Sequence, residues 1–317
     1  MSSEHSPWND LDAGRVFSNT GVIRHSIAVP VRVEQEGVDL YREWIAAGRN
    51  AGMEYMERYG DVRDDPRKLL EGVQSIICCA ISYYTPFTPD PDALRIARYA
   101  LGQDYHDIVR RRLETAAQRI REIYGGETRV CVDTAPLRER YWAERSGLGF
   151  IGRNNHLIIP GAGSYLFLGE ILTTIAFRPT EPDSSLHKAA SGCASCGRCI
   201  KACPTGALDS DWHCDARRCL SYLTIEHRGE FPEGTDLHDT FYGCDRCAAA
   251  CPHNSHPAEC VIEELRPNPR LLTLTAGQML AMDHEEYCGI FRGSAMKRAK
   301  LSGLQRNAKA ISKDSHT

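Results

Sequence analysis

The plainest order in the chain is a change of hydrophobic period. Residues 104–125, DYHDIVRRRLETAAQRIREIYG, place apolar side chains at helical spacing, and Gly125 falls where such a helix stops. Residues 73–84, VQSIICCAISYY, form a continuous apolar, β-prone run closing at Thr85-Pro86, the pattern of a buried strand. Residues 38–60 return to helical periodicity, with Tyr41, Trp44 and Ile45 opening an apolar face. A short strand is predicted at 128–136, then the helical LRERYWAERSG with Gly147 as its stop, then strands at 156–160 and 163–177. Strands alternating with helices predict an α/β (α+β) domain over residues 1–185.

Beyond the loop expected at 178–192 the pattern fails. Residues 190–255 are rich in Cys, Gly and Pro and short of apolar runs, so they need something besides a hydrophobic core to hold them. A ferredoxin-type unit is placed at 186–256 and a short, basic helical extension at 257–317.

Composition changes this picture little. With 42% hydrophobic and 25% charged residues and no apolar run of bilayer length, the chain reads as a cytoplasmic monomer without a membrane partner. Its start carries early acids and neither a signal-peptide core nor a twin-arginine pair. A net charge of −4 excludes a polycation, so nucleic acid would need a local basic patch. Residues 289–313, with seven Lys/Arg and no acid, supply one; on charge alone they are a solvated tail.

The cysteines change it most. Fourteen are too many for an ordinary reduced enzyme, and the chain is neither small nor secreted as a disulfide framework requires. CASCGRCIKACP sets Cys193, Cys196, Cys199 and Cys203 in C-x2-C-x2-C-x3-C-P order. Cys219, a long insertion, then Cys244, Cys247 and Cys251-Pro252 give a second half. This is the arrangement of two 4Fe–4S clusters, in which the Cys before Pro crosses to the other cluster. Cys193, Cys196, Cys199 and Cys251 then hold one cluster, and Cys203, Cys219, Cys244 and Cys247 the other. The insertion leaves Cys214 competing with Cys219. Zinc shares the C-x2-C spacing but has no need of a repeated x3-C-P element. Cys78, Cys79, Cys131, Cys260 and Cys288 lack ligand-like partners and are expected to pack in the core.

Clusters pass single electrons, so the larger preceding domain must be what binds a reactant. No Walker loop is present, and the G-x-G-x-x-G of GLGFIGRNN follows a helix rather than a strand, a weak nucleotide signal. Asp133 reads by itself as a cap for the helix starting near Pro136.

Four stretches together are more specific: VDTAPLRERYWAERSGLGFIGRNNHLI, CASCGRCIKACPTGAL, CLSYLTIEHRG with YGCDRCAAACPHN, and FRGSAMKRAKLSGLQRNA. In this order, over roughly residues 40–310, they resemble the epoxyqueuosine reductases. The resemblance implies a cobalamin-binding domain related to reductive dehalogenases and two 4Fe–4S clusters, the second taking Cys219. It implies a tRNA bearing epoxyqueuosine at the anticodon wobble position, reduced from epoxide to alkene and water, and an external low-potential electron donor. Many members carry a helical repeat domain after the clusters that this sequence lacks, which throws tRNA binding onto the basic tail.

By the same resemblance Asp133 is the proton donor, and burial beside a corrin is expected to keep it protonated. Cobalamin contacts are implied at Arg153, Asn154, Asn155, His156 and Ile158, at Ser221, and around Cys244 and Asp245. Cobalt is left without His156 as an axial ligand. Tyr105 and His106 are pocket candidates, or else packing and capping residues. For tRNA the candidates are Glu226, His227, Arg228, Lys297, Arg298, Lys300 and Arg306. The alternatives are a dehalogenase-like reductase, which its missing export signal disfavours, and a non-catalytic electron carrier.

Overall fold

The computed structural model describes residues 10–210 and 212–313. Its first half runs α1 (Asp10–Phe17), β1 (Val22–Ala28), α2 (Gln35–Ala46), the single turn α3 (Gly60–Arg63), β2 (Ser75–Ser82) and β3 (Arg95–Ile96). There follow α4 (Tyr105–Tyr124), β4 (Thr128–Cys131), α5 (Glu139–Arg145), β5 (Phe150–Ile151), β6 (Leu157–Ile158) and β7 (Leu166–Thr173).

Every residue of β2 is buried, and its period of two divides the core. Ile77, Cys79 and Ile81 point to one face, against Val109, Leu113, Ala116 and Ile120 of α4 and Val16 of α1. Ile76, Cys78 and Ala80 point to the other, against Val38 of α2 and Trp142 and Ala143 of α5. The adjacent cysteines are therefore core residues of opposite layers, as expected of them. Cys131 and Cys260 are buried too, whereas Cys288 lies half-exposed on a surface helix, 3.6 Å from His284 Nε2.

The sheet, in order β1-β2-β7-β4, is antiparallel throughout. The mixed helix and strand content is as read from the sequence, but the alternation does not produce parallel pairs. A parallel pair needs a crossover joining strands that then pair; α4 leads instead into β4, whose neighbour is β7. The strand β1 escaped the sequence reading because Arg24 and His25 interrupt its alternation, and burial begins only at Ser26. The helix expected over 38–60 ends at Ala46, since Ala51 (φ 50°) and Tyr59 (φ 58°) take left-handed backbone.

The glycines of GLGFIG serve packing rather than phosphate. A Cβ on Gly149 would strike Ile158 O, and one on Gly152 would lie 2.5 Å from Ile158 Cδ1, so both keep the β5–β6 hairpin closed.

The second half comprises α6 (Ser184–Cys196), α7 (Arg198–Ala202), α8 (Leu220–Ile225), β8 (Thr240–Tyr242), α9 (Arg246–Ala249), α10 (Ala276–Ala281), α11 (His284–Phe291) and α12 (Lys300–Lys313). Most of the stretch expected as a loop before the cysteines is α6, capped by Asp183, which accepts from Ser185 N at 2.8 Å. β3 pairs in parallel with β8, and Leu94, Ala100 and Leu101 share a core with Phe241, Tyr242, Met279, Met296 and Leu304. Fully buried Asn307 of α12 donates to Thr224 O at 2.8 Å and Phe241 O at 3.0 Å, locking the last helix to α8 and β8. No helix among the described residues is long and apolar enough to cross a membrane.

Gly102 shows how tightly these halves meet: a Cβ there would lie 2.5 Å from Leu265 O and 2.8 Å from Leu265 Cα, both backbone. Gly102→Ala is expected to lower stability by about 1–3 kcal/mol through overpacking. Gly277→Ala, with open space around it in α10, should be neutral or stabilising by up to about 1 kcal/mol. Urea midpoints of the two variants check the contrast.

Candidate functional site

Cys193 and Cys196 occupy the last turn of α6, and left-handed Gly197 (φ 64°) reverses the chain into α7, which carries Cys199. Cys251 comes from beyond α9, just before Pro252. These four thiols line one cavity of about 460 Å³ together with Asn154, Ile158, Lys188 and His253. Among the described residues no three His, Cys, Asp or Glu side chains close to single-ion distance. Four thiols around a cavity of that volume have room for a cubane between them.

Burial lifts the Cys251 thiol, and the neighbouring charges it feels are those of Cys193, Cys199 and Cys196. A second group gathers beside it. Cys247, raised by burial, neighbours Cys244 and Cys219. The Cys214 thiol donates to Cys219, whose own thiol falls to about 6, chiefly through that bond. Cys214 also neighbours Cys247 and Cys203. The structure thus brings both rival cysteines to the second group.

Asp133 follows β4 in left-handed backbone, φ 46°. Its Oδ2 accepts from Tyr105 Oη at 2.9 Å and from His106 Nε2 at 2.5 Å. Its N–H donates to Glu139 Oε1. His106 Nδ1 lies 2.6 Å from Asp104 Oδ1, and Asp104 Oδ2 lies 2.8 Å from Lys297 Nζ. Burial opposes a charged His106, but the bonds to Asp104 and Asp133 outweigh it and lift its pKa to about 9. Burial likewise favours a neutral Asp133, yet its bond to His106 leads the effects that bring its pKa below the usual value. The expectation that burial keeps the proton on Asp133 is corrected: with these partners the imidazole holds it.

The family model described as "Epoxyqueuosine reductase QueG, DUF1730" matches residues 63–134, and "4Fe-4S double cluster binding domain" matches 192–254. A curated epoxyqueuosine reductase of Gloeobacter violaceus is 38% identical over 299 residues, 92% of this chain and 91% of the relative. The chain belongs to the epoxyqueuosine reductase family.

An epoxyqueuosine reductase solved with an epoxyqueuosine-modified tRNA-Tyr stem loop superposes with a TM-score of 0.82 at 28% identity, covering 94% of this chain and 79% of that one. A Bacillus subtilis epoxyqueuosine reductase, solved with its catalytic aspartate loop swung out of the active site, gives 0.81 at 28%, with the same coverage.

In this family member a row of rings joins the two regions. Tyr84 stacks on Tyr165 at 5.5 Å and Tyr165 meets Tyr83 at 5.8 Å. Tyr83 meets Phe167 at 4.6 Å, Phe167 stacks on Tyr105 at 4.2 Å, and Tyr105 stacks on His106 at 4.1 Å. Beside Tyr83 lie Asp245 and Cys247. Burial raises Asp245, whose Oδ2 accepts from Arg98 N at 2.7 Å. Ser221 hydrogen-bonds Cys219 at the start of α8. Tyr83, Tyr165 and Phe167 were missed by sequence reading because aromatics at strand ends look like ordinary core.

The loop 153–158 runs beside the first thiol group. Arg153 donates to Ala194 O at 3.0 Å and Ser210 O at 3.1 Å, tying α6 to the segment between Cys203 and Cys219. Asn154 and Ile158 line the first thiol cavity, with Asn154 Nδ2 buried and unpartnered. Asn155 donates to Trp212 O at 3.3 Å. Burial, helped by Arg140, depresses His156 to about 4, so it is neutral.

The cations proposed for tRNA are mostly engaged. Arg306 donates to His227 O, Gly229 O and Leu223 O at 2.9, 2.8 and 3.3 Å and lies over Phe231, fastening the insertion. Arg228 donates to Ile225 O and Arg298 O, and the ring nitrogen of His227 contacts Glu230 O. Arg298 pairs with Glu226 at 2.7 Å and sits 5.7 Å from the Tyr55 ring. Tyr55, which feels both Glu226 and Asp133, is a rim residue no motif announced. Lys300 is exposed.

Cys251→Ser is expected to cut iron from about eight to about four per chain, with Cys203→Ser doing the same to the other cluster. Iron and sulfide assays after anaerobic reconstitution check this, and unchanged iron in either variant contradicts the grouping.

Proposed function

We propose that this epoxyqueuosine reductase protonates the departing epoxide oxygen from Asp133, with His106 as the proton's store. The observation that carries it is the chain Asp133–His106–Asp104–Lys297, three contacts between 2.5 and 2.8 Å ending at an acid that is half-exposed. Epoxide to alkene and water consumes two electrons and two protons. Bound cobalamin, fed through the clusters by an external low-potential donor, would supply the electrons.

Everything else falls to the chain's own side chains. Cys193, Cys196, Cys199 and Cys251 hold one cluster, and Cys203, Cys219, Cys244 and Cys247 the other. The ring row from Tyr84 to Tyr105 offers aromatic surface that suits an apolar macrocycle, with Ser221, Cys244 and Asp245 at its cluster end. The unpartnered amide of Asn154 and the nearby His156 fit polar edge groups of such a ligand better than its metal. Tyr105 and His106 both bond Oδ2, leaving Oδ1 for the substrate. As negative charge builds on the epoxide oxygen, His106 Nε2 passes its proton to Asp133, which hands it on to that oxygen.

The tRNA, in this reading, presents its wobble nucleotide across the Tyr55–Glu226–Arg298 rim. Arg228 and Lys300 offer charge to phosphates, while Lys297 and Arg306 hold the rim in place. The solved stem-loop complex of a relative supports this partner. The chain acts as a monomer.

Asp133→Asn, which keeps the shape but cannot relay the proton, should lose about 10²–10⁴-fold in turnover with iron content unchanged; normal turnover sinks the assignment. Since a raised His106 pKa means the proton is held below about 9 and lost above it, wild-type turnover should fall as pH rises through that value. His106→Gln should lose this alkaline limb, measured as single-turnover rate against pH on modified stem-loop RNA.

A further inference from the structure

We infer that Glu139 is a positioning residue: its side chain latches the backbone of Asp133 and so keeps the acid turned into the site. The inference rests on the reading of Asp133 given above and adds what holds that residue in place.

Between β4 and α5 the chain makes an excursion with firm ends. Val132 and Leu137 are buried, whereas Asp133 and Thr134 are exposed. Arg138, just before α5, donates to Gly37 O at 2.8 Å and to Asp64 at 2.5 Å, and lies 4.7 Å from the Tyr41 ring. The start of α5 is therefore fixed to α2 and to the residue that ends α3.

Glu139 opens α5 on that fixed base. An acid in the first turn of a helix is ordinarily explained by the free N–H groups there. Glu139 reaches back six residues instead and accepts the N–H of Asp133. Backbone donors in residues 133–138 find little else. Among the described residues, the N–H of Leu137, which donates to Ala135 O at 2.7 Å, is the only other one there with a hydrogen bond.

The bond matters because of the backbone it holds. Asp133 has φ 46°, a left-handed conformation that is strained for any residue with a Cβ. A return to ordinary φ would redirect its side chain away from Tyr105 and His106. Those two partners cannot hold it throughout the reaction, since the proton that leaves His106 Nε2 through Asp133 breaks and remakes the carboxyl's own bonds. The bond to Glu139 is made by the backbone, outside the proton's path. A carboxyl group keeps an accepting oxygen whether ionised or protonated, so the latch persists through the cycle.

The test uses the full-length protein with its clusters and reads hydrogen exchange at single amides, corrected for intrinsic rates. In the wild type the Asp133 amide should be protected relative to that of Thr134, which has no acceptor among the described residues. Equal exchange overturns the latch without any variant. Glu139→Ala should speed exchange at Asp133 roughly tenfold and lower kcat about tenfold to a hundredfold, with KM for modified stem-loop RNA and iron content unchanged. Glu139→Gln keeps a carbonyl acceptor and should recover most of both losses. A glutamine variant as impaired as the alanine one overturns the proposal, and so do wild-type exchange and kcat in Glu139→Ala. If the alanine variant fails to fold, the wild-type comparison of the two amides decides. An unprotected Asp133 in a wild type that reduces epoxyqueuosine RNA overturns the latch alone. A protected Asp133 in a wild type that leaves this RNA unreduced overturns the function, and with it the catalytic use of the latch.

Discussion

Asp104 is the joint on which the reactive end of the molecule hangs. Its side chain is nearly buried, and both oxygens are occupied, by His106 on one and Lys297 on the other. Its own N–H donates to Gly293 O at 2.5 Å. One carboxylate therefore caps α4, orients the imidazole and pins the segment before α12 onto the first domain. Hydrogen bonds to ionised groups are about twice as strong as neutral ones, and a buried anion that lost one cation would be left uncompensated. The position of His106, and through it of Asp133, is thus tied to a stretch of chain almost 200 residues further on.

Electrons and protons reach the centre from different directions. The thiol groups lie at one end of the ring row and the Asp133 chain at the other, with Tyr83, Phe167 and Tyr105 between them. The proton-holding groups Asp133, His106 and Asp104 gather where the start of α4 meets the end of β4. That division follows from the antiparallel sheet, which turns the end of β4 and the start of α4 toward the same edge.

The parts of this arrangement legible in the sequence are those set by local rules. The cysteine spacing, the amphipathic α4 and the buried β2 each carry their signal within a dozen or so residues. What escaped depends on partners distant in sequence. Arg306 looked like a tail cation until three carbonyls of the insertion were found on its guanidinium. Asn154 and Ile158 were assigned from their loop alone, and the fold adds that they line the first thiol cavity. Glu170 sits in an apolar strand where nothing nearby marks it, and only the register with Cys78 and Cys131 shows that it is buried unpaired. The helix α6 was hidden because its apolar residues are few and its purpose is to aim two thiols.

The charge state of Asp133 follows from the same logic. A non-glycine residue in left-handed backbone costs on the order of 1–3 kcal/mol, and Asp is among the side chains that tolerate it best. At Asp133 the strain is offset by three bonds, from Tyr105 and His106 to the carboxylate and from the backbone to Glu139. One of those partners, His106, is itself a proton carrier. The conformation that aims the acid is therefore most stable when His106 is charged and Asp133 is its anion, and it weakens when the imidazole gives its proton up. An acid held this way is returned to its loaded geometry by the reprotonation that resets its chemistry.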